Sequence, residues 1–110
     1  MDAEALTRKF LLAYESKELA KIANMFHPEI ILRDWNSEII GKEDAIEEFG
    51  KNFEQAQNLK ILIKTIYIAS YSAAAEIEIT VNHTEKLNVV DVLNFNSEGK
   101  ILSIVAYRGL

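Results

Sequence analysis

The stretch Leu87–Tyr107, LNVVDVLNFNSEGKILSIVAY, decides how this 110-residue chain is read. Two apolar strands flank a turn at Asn96-Ser97-Glu98-Gly99. Side chains in a strand alternate between faces. Leu87, Val89, Asp91, Leu93 and Phe95 therefore share one face, and Asn88, Val90, Val92, Asn94 and Asn96 share the other. The first face is apolar except for the carboxylate at its middle. An unpaired buried charge is costly, and a buried Asp tends to neutralise. Asp91 in this phase reads as a neutral carboxylic acid in a cavity, donating to a ligand oxygen. The alternative is an Asp bonded to backbone amides or to Arg33 or Arg108.

Working back from the hairpin, the chain is strand as far as Leu59. Ala73 to Val81 alternates Ile77, Ile79 and Val81 against Glu76, Glu78 and Thr80. Leu59 to Ala69 alternates Lys60 and Lys64 with apolar neighbours, and Ser70-Tyr71-Ser72 is a turn. Short loops between successive strands imply an antiparallel meander, whose apolar face needs a cover. The first half of the chain supplies it. Asp2 caps a first helix carrying the stripe Ala3, Leu6, Phe10, Ala13 and Tyr14. Ser16 reads as the cap of a second, with Leu19, Ile22, Ala23 and Phe26 buried, ended by His27-Pro28. Glu29 to Trp35 reads as a strand with Ile30, Leu32 and Asp34 on one face, and Glu38-Ile39-Ile40 as its short return. Gly41 opens a third helix with the stripe Ile46, Phe49, Gly50 and Phe53. The class is α+β: residues 1–110 as one domain, three helices packed into one curved sheet.

Composition narrows the function. A net charge of −5 with no basic run leaves no electrostatic footprint for nucleic acid or an anionic membrane. No apolar run reaches the ~20 residues of a membrane helix. The chain has no cysteine, and Met-Asp-Ala-Glu-Ala lacks the pattern of a signal peptide, which suits the cytoplasm. His27 and His83 sit in no metal-ligand spacing, and the four glycines form no phosphate loop. No metal and no cofactor is expected.

Taken in order, MFHPEIILRDW (Met25–Trp35), IIGKEDAIEEF (Ile39–Phe49) and VVDVLNFNSEGKILSIVAY (Val89–Tyr107) resemble the nuclear transport factor 2-like superfamily, on its ketosteroid isomerase-like, SnoaL-like branch. The resemblance implies a cone-shaped sheet, antiparallel or mixed, wrapped around the helices as in a cystatin-like roll. It also implies chemistry. The isomerases of that branch move a proton next to a carbonyl, with an Asp base and with a Tyr and a protonated Asp donating to the enolate oxygen. Lined up with the family, the base falls on Asp34 and the protonated acid on Asp91. The family's first-helix Tyr falls on Phe10, and a supporting Tyr falls on Gly50.

Asp34 therefore reads as a general base at a cavity mouth, or as the turn former before Trp35-Asn36-Ser37. Phe10, Tyr14, Trp35, Phe49, Phe53 and Leu93 are the candidate ligand-binding residues, each with plain core packing as its alternative. Tyr14, one turn beyond Phe10, reads foremost as a buried-edge tyrosine; in the alternative it supplies the hydroxyl missing at Phe10. The expected partner is a compact apolar or semi-polar ligand with a carbonyl or hydroxyl. Isomerase-, cyclase- and dehydratase-like reactions all fit. The other sheet face, with Val90, Val92, Val105 and Tyr107 and with Ile66 and Ile68 beside them, predicts a homodimer. A non-catalytic binding or assembly module acting through that face is the second reading.

Overall fold

The computed structural model describes residues 1–110: α1 (Ala3–Glu15), α2 (Leu19–Met25), β1 (Phe26–Arg33), β2 (Glu38–Ile40), α3 (Lys42–Gln55), β3 (Leu59–Ile68), β4 (Ser72–Val81), β5 (Glu85–Phe95) and β6 (Ile101–Arg108). The six strands form one open sheet in the order β2-β1-β6-β5-β4-β3. Strands β3 to β6 are the expected antiparallel meander. β1 joins it in parallel beside β6, and β2 folds back antiparallel on β1. The sheet is therefore mixed, as an α+β chain allows when an early strand returns to the last one.

The helices cover one face. α1 lies against β3 and β4, and α3 against β1 and β2. Asp2 caps α1 as its sequence position suggests, its Oδ1 accepting the Ala5 N–H at 3.0 Å. Ser16 does not cap the second helix. It ends α1, its N–H reaching the Leu12 and Tyr14 carbonyls, and Lys17 turns the chain at φ 57° before Glu18 caps α2. Lys17 then places its ammonium on the Ala56 and Gln57 carbonyls just past the end of α3, where a cation complements the helix dipole. Phe26 is the first residue of β1 rather than the last of α2, and it is fully buried all the same.

β3 corrects the outer-face assignment. Ile63 pairs with Ile77 and Thr65 with Glu76, so Lys64 is an extra residue that slips the register by one. Beyond that bulge Ile66 pairs with buried Ala75 and Ile68, itself 53% exposed at the strand's end, with buried Ala73. Ile66 and Ile68 therefore belong to the inner phase, and Tyr67 takes their place outside. The outer face still carries Ile31, Ile40, Val90, Val92, Val105 and Tyr107 in neighbouring register, with no helix over it.

The β5–β6 turn is held by Asn96. Its backbone carbonyl accepts the Gly99 N–H at 3.0 Å, and its Oδ1 accepts the N–H groups of Glu98 and Lys100 at 3.0 and 2.9 Å. Gly99 sits at φ +83°, where a Cβ is strained, while the nearest atoms are the flexible ends of Leu6 and Met1 at 3.2 and 3.4 Å. The cost of a side chain there is conformational. Gly99→Ala is expected to lower the unfolding free energy by about 1–2 kcal/mol. Gly99→Asn, which tolerates the left-handed region, should lose less; the urea midpoint at unchanged m reads both.

Candidate active site

Asp91 faces inward at the middle of β5, and its surroundings explain its state. Its cross-strand neighbours are Ala75 on β4 and Ala106 on β6. Neither side chain can donate a hydrogen bond or a charge, and Ala106 lines the space beside the carboxyl. Arg33 is paired with Glu38 at 3.9 Å, and Arg108 lies over the Trp35 ring at 5.7 Å. The two arginines that might have neutralised Asp91 are thus engaged elsewhere. With no counter-charge and no hydrogen bond to favour the anion, burial alone pushes the carboxyl up to about 7.

The space above Asp91 is a cavity of about 140 Å³, enclosed by α1, α3, the β1–β2 turn and the inner face of the sheet. Phe10, Tyr14, Trp35 and Phe49, of the candidate ligand-binding set, line it, as do Asp34 and Asp91. Phe53 and Leu93 do not: Leu93 is wholly buried beneath the sheet's inner layer, and Phe53 packs behind Tyr14. Five rings form the floor and the joint between α1 and α3. Phe10, Phe26 and Phe49 lie at centroid separations of 5.7 to 6.3 Å, and Tyr14 meets Phe49 and Phe53 edge-on at 5.4 and 5.0 Å.

Tyr14 is held by that edge-on packing one helical turn from Phe10, the rings 6.2 Å apart. Its phenol is pushed up to about 12, first by burial, then by the charge of Asp91, with Asp34 adding to the effect and the nearby Asn52 amide opposing it. The dependence on both acids means that the hydroxyl shares their space. A phenol in that state is a neutral hydrogen-bond donor across the physiological range.

Asp34 follows β1 at the mouth, exposed, in phase with buried Ile30 and Leu32. It does what a turn former does: Oδ1 accepts the N–H groups of Asn36 and Ser37 at 2.7 and 2.9 Å. It also lines the cavity, and its second oxygen has no partner in the chain. The two sequence readings of Asp34 therefore coexist in one side chain. Trp35, 44% exposed, stands beside it at the rim.

Sequence reasoning missed Glu48 and Asn52 of α3, both half-buried at the cavity wall. They stand one turn apart and next to Phe49 and Phe53, on the flank of the apolar stripe. Their spacing was visible, but nothing in the sequence distinguishes a flank that meets a cavity from one that meets water. Ala75 and Ala106 were a signal of another kind, small residues opposite Asp91.

Comparison with known proteins places this geometry in context. The family model for the SnoaL-like domain matches residues 7–104. No curated protein matches the chain in sequence. Among solved structures, an NTF2-like protein of unknown function from Cytophaga hutchinsonii is similar with a TM-score of 0.83 at 12% identity, over 99% of this chain and 91% of that one. A ketosteroid isomerase candidate from Kribbella flavida gives 0.85 at 16% identity, over 96% and 76%. The epoxide hydrolase/cyclase-like enzyme SalBIII, of pyran ring formation in the polyether salinomycin, gives 0.85 at 19% identity, over 98% and 91%. At these identities the likeness is one of fold.

The state of Asp91 has a consequence for stability. Unfolded, the carboxyl has its ordinary value of 3.8; folded, it keeps its proton up to about 7. Between those values the folded state binds more protons than the unfolded one, so this residue's contribution to stability falls as pH rises through that window and is level above it. Asp91→Asn is expected to abolish that decline. By the same linkage it should be more stable than the wild type at pH values above about 7, by up to roughly 4 kcal/mol. Denaturant unfolding of both proteins across the pH range checks it.

Proposed function

Because the chain belongs to the SnoaL-like domain family and has the NTF2-like fold, we propose that it binds a small carbonyl compound in the cavity and moves a proton next to that carbonyl. The observation that carries this reading is Asp91: an acid kept protonated by burial, without a partner in the chain, on the wall of a cavity that Asp34 also lines. The ligand's carbonyl oxygen accepts from the Asp91 carboxyl and from the Tyr14 hydroxyl. The free oxygen of Asp34 takes a proton from the adjacent carbon, and the electron pair moves onto the oxygen as an enolate. Two donors in a largely apolar cavity stabilise that charge where it develops. Asp34 then returns the proton to another carbon of the conjugated system, which completes an isomerisation, or the enolate carbon adds to a second carbonyl of the ligand, whose π electron pair moves to its oxygen and takes the proton from Asp34, which completes a cyclisation. Neither course needs a cofactor. Tyr14 takes the role that the family alignment assigns to the position of Phe10.

A β,γ-unsaturated ketone is the test substrate. Asp34→Asn is expected to abolish proton transfer, and Tyr14→Phe to lower the rate by about 10²–10³, the usual loss for one oxyanion donor. Affinity for the conjugated product ketone should fall as pH rises through about 7, because ionised Asp91 no longer donates. Turnover by Asp34→Asn equal to that of the wild type removes the catalytic reading. Affinity that rises with pH instead identifies a cationic ligand.

The outer sheet face supports a second element of the proposal, a homodimer. Ile31, Ile40, Tyr67 and Tyr107 are 38%, 63%, 60% and 56% exposed on a face that no helix covers. A self-complementary pairing of such a face fits a two-fold interface of about 800 Å² per partner. A non-catalytic assembly module would use the same surface. Val105→Lys, central on that face, is expected to convert a dimer to a monomer in sedimentation equilibrium with little change in the far-ultraviolet circular dichroism.

A further inference from the structure

Asp91 is flanked by alanine on both sides, at Ala75 and Ala106, and of the two Ala106 lines the cavity. Around it, Ile61, Ile77, Ile79, Val89 and Ile104 of the inner face line the same cavity. Ala106, the smallest side chain of that lining, stands directly beside the acid. The cavity measures about 140 Å³, and an apolar protein cavity of about 150 Å³ accommodates benzene. Phe10 and Phe49 close the space from the helices, each less than a tenth exposed and locked in the five-ring cluster. Enlarging it would mean breaking close-packed aromatic contacts, which resist deformation.

Charge sets a second limit. Asp34, Glu48 and Asp91 line the cavity against one cation, Arg33, which is itself paired with Glu38. A ligand carboxylate or phosphate would meet three acids.

We infer that the cavity is built for an uncharged single-ring or short-chain carbonyl compound of about six to nine non-hydrogen atoms, with Ala106 as the residue that sets the size limit beside Asp91. A steroid or a fused-ring polyketide is too large for it. The carbonyl part of this inference rests on the function proposed above; the size limit does not. Apolar ligands normally bind more tightly as they grow, because each added methylene removes more surface from water. A cavity of fixed size reverses that order.

The test uses the intact protein and three series of probes, with the fluorescence of Trp35, the only tryptophan, and ligand-detected NMR as readouts. The first is cyclohex-2-enone, a bicyclic enone and a steroid 4-en-3-one. The second is toluene and naphthalene. The third is cyclohexene carboxylate. The single rings are expected to bind at least about tenfold more tightly than the larger members, and the carboxylate not at all. Ala106→Leu should weaken cyclohexenone by at least about tenfold while leaving the melting temperature unchanged or higher, since it fills apolar space beside Asp91. Ile79→Ala, at the cavity wall, should admit the bicyclic enone, and it keeps the size limit testable if Ala106→Leu does not fold. A bicyclic or steroid enone that binds the wild type more tightly than cyclohexenone overturns the inference, as does failure of both cyclohexenone and toluene to bind. If toluene binds ahead of naphthalene while cyclohexenone affinity is independent of pH, the size limit stands and the donor role of Asp91 falls.

Discussion

The inward phase of β5 is the constraint on which the site depends. β5 lies between β4 and β6, laddered to β4 from Ser72↔Asn94 through Val81↔Glu85 and to β6 from Val89↔Arg108 through Leu93↔Ile104. A slip of one residue would turn Val89 and Leu93, both essentially buried, out to solvent. The apolar neighbours therefore fix the direction of the one acid among them. Asp91 is held inside by the burial of residues on either side of it, at a cost that its own protonation limits. The fold carries this cost on the wall of the cavity.

The helices complete what the sheet begins. Helix packing on a sheet closes space only as far as the side chains reach, and α1 and α3 meet through rings rather than through aliphatic chains. The cluster of Phe10, Tyr14, Phe26, Phe49 and Phe53 is rigid and wide. It seals the cavity against the core while its edge, the Tyr14 hydroxyl, stays within the field of Asp91 and Asp34. The same packing that stabilises the joint thus orients a polar group, and no separate device is needed to hold it.

Most of the fold was legible because period and punctuation agreed. The alternation of β4 and β5, the helical stripes of α1 and α3 and the turn signals at Asn96 to Gly99 each point one way. The misreadings came where one residue changes the phase. Lys64 bulges β3 and sends Ile66 and Ile68 inward, and a lysine in a strand carries no mark that it is the extra residue. Ser16 was a plausible cap, but the left-handed turn at Lys17 moved the helix start to Leu19. That β1 would lie parallel to β6 is a property of distant pairing that no local pattern contains. Of the site, Asp91 was legible from phase, and Asp34 from its position after Ile30 and Leu32. Glu48 and Asn52 were not, because the identity of what faces a helix flank is decided by the whole fold.

Tyr14 presents its phenol one helical turn beyond Phe10. Residues four apart on a helix lie on one face, so a phenol at either Phe10 or Tyr14 projects toward the same inner side of the sheet. With Phe10 lodged in the ring cluster and 2% exposed, the hydroxyl four residues on is the one that meets the cavity. It differs from Asp91 in a chemically useful way. The phenol, at about 12, is a donor throughout the physiological range, whereas the carboxyl, at about 7, changes from donor to acceptor within it. Once ionised, Asp91 raises the cost of ionising the phenol, since an anion on Tyr14 then meets negative charge on its neighbour. Below neutrality the cavity presents two donors to a ligand oxygen; above it, one donor and one anion. The chemistry available at the site is therefore set by a proton on Asp91, and the strand that holds Asp91 inward sets the pH at which that proton leaves.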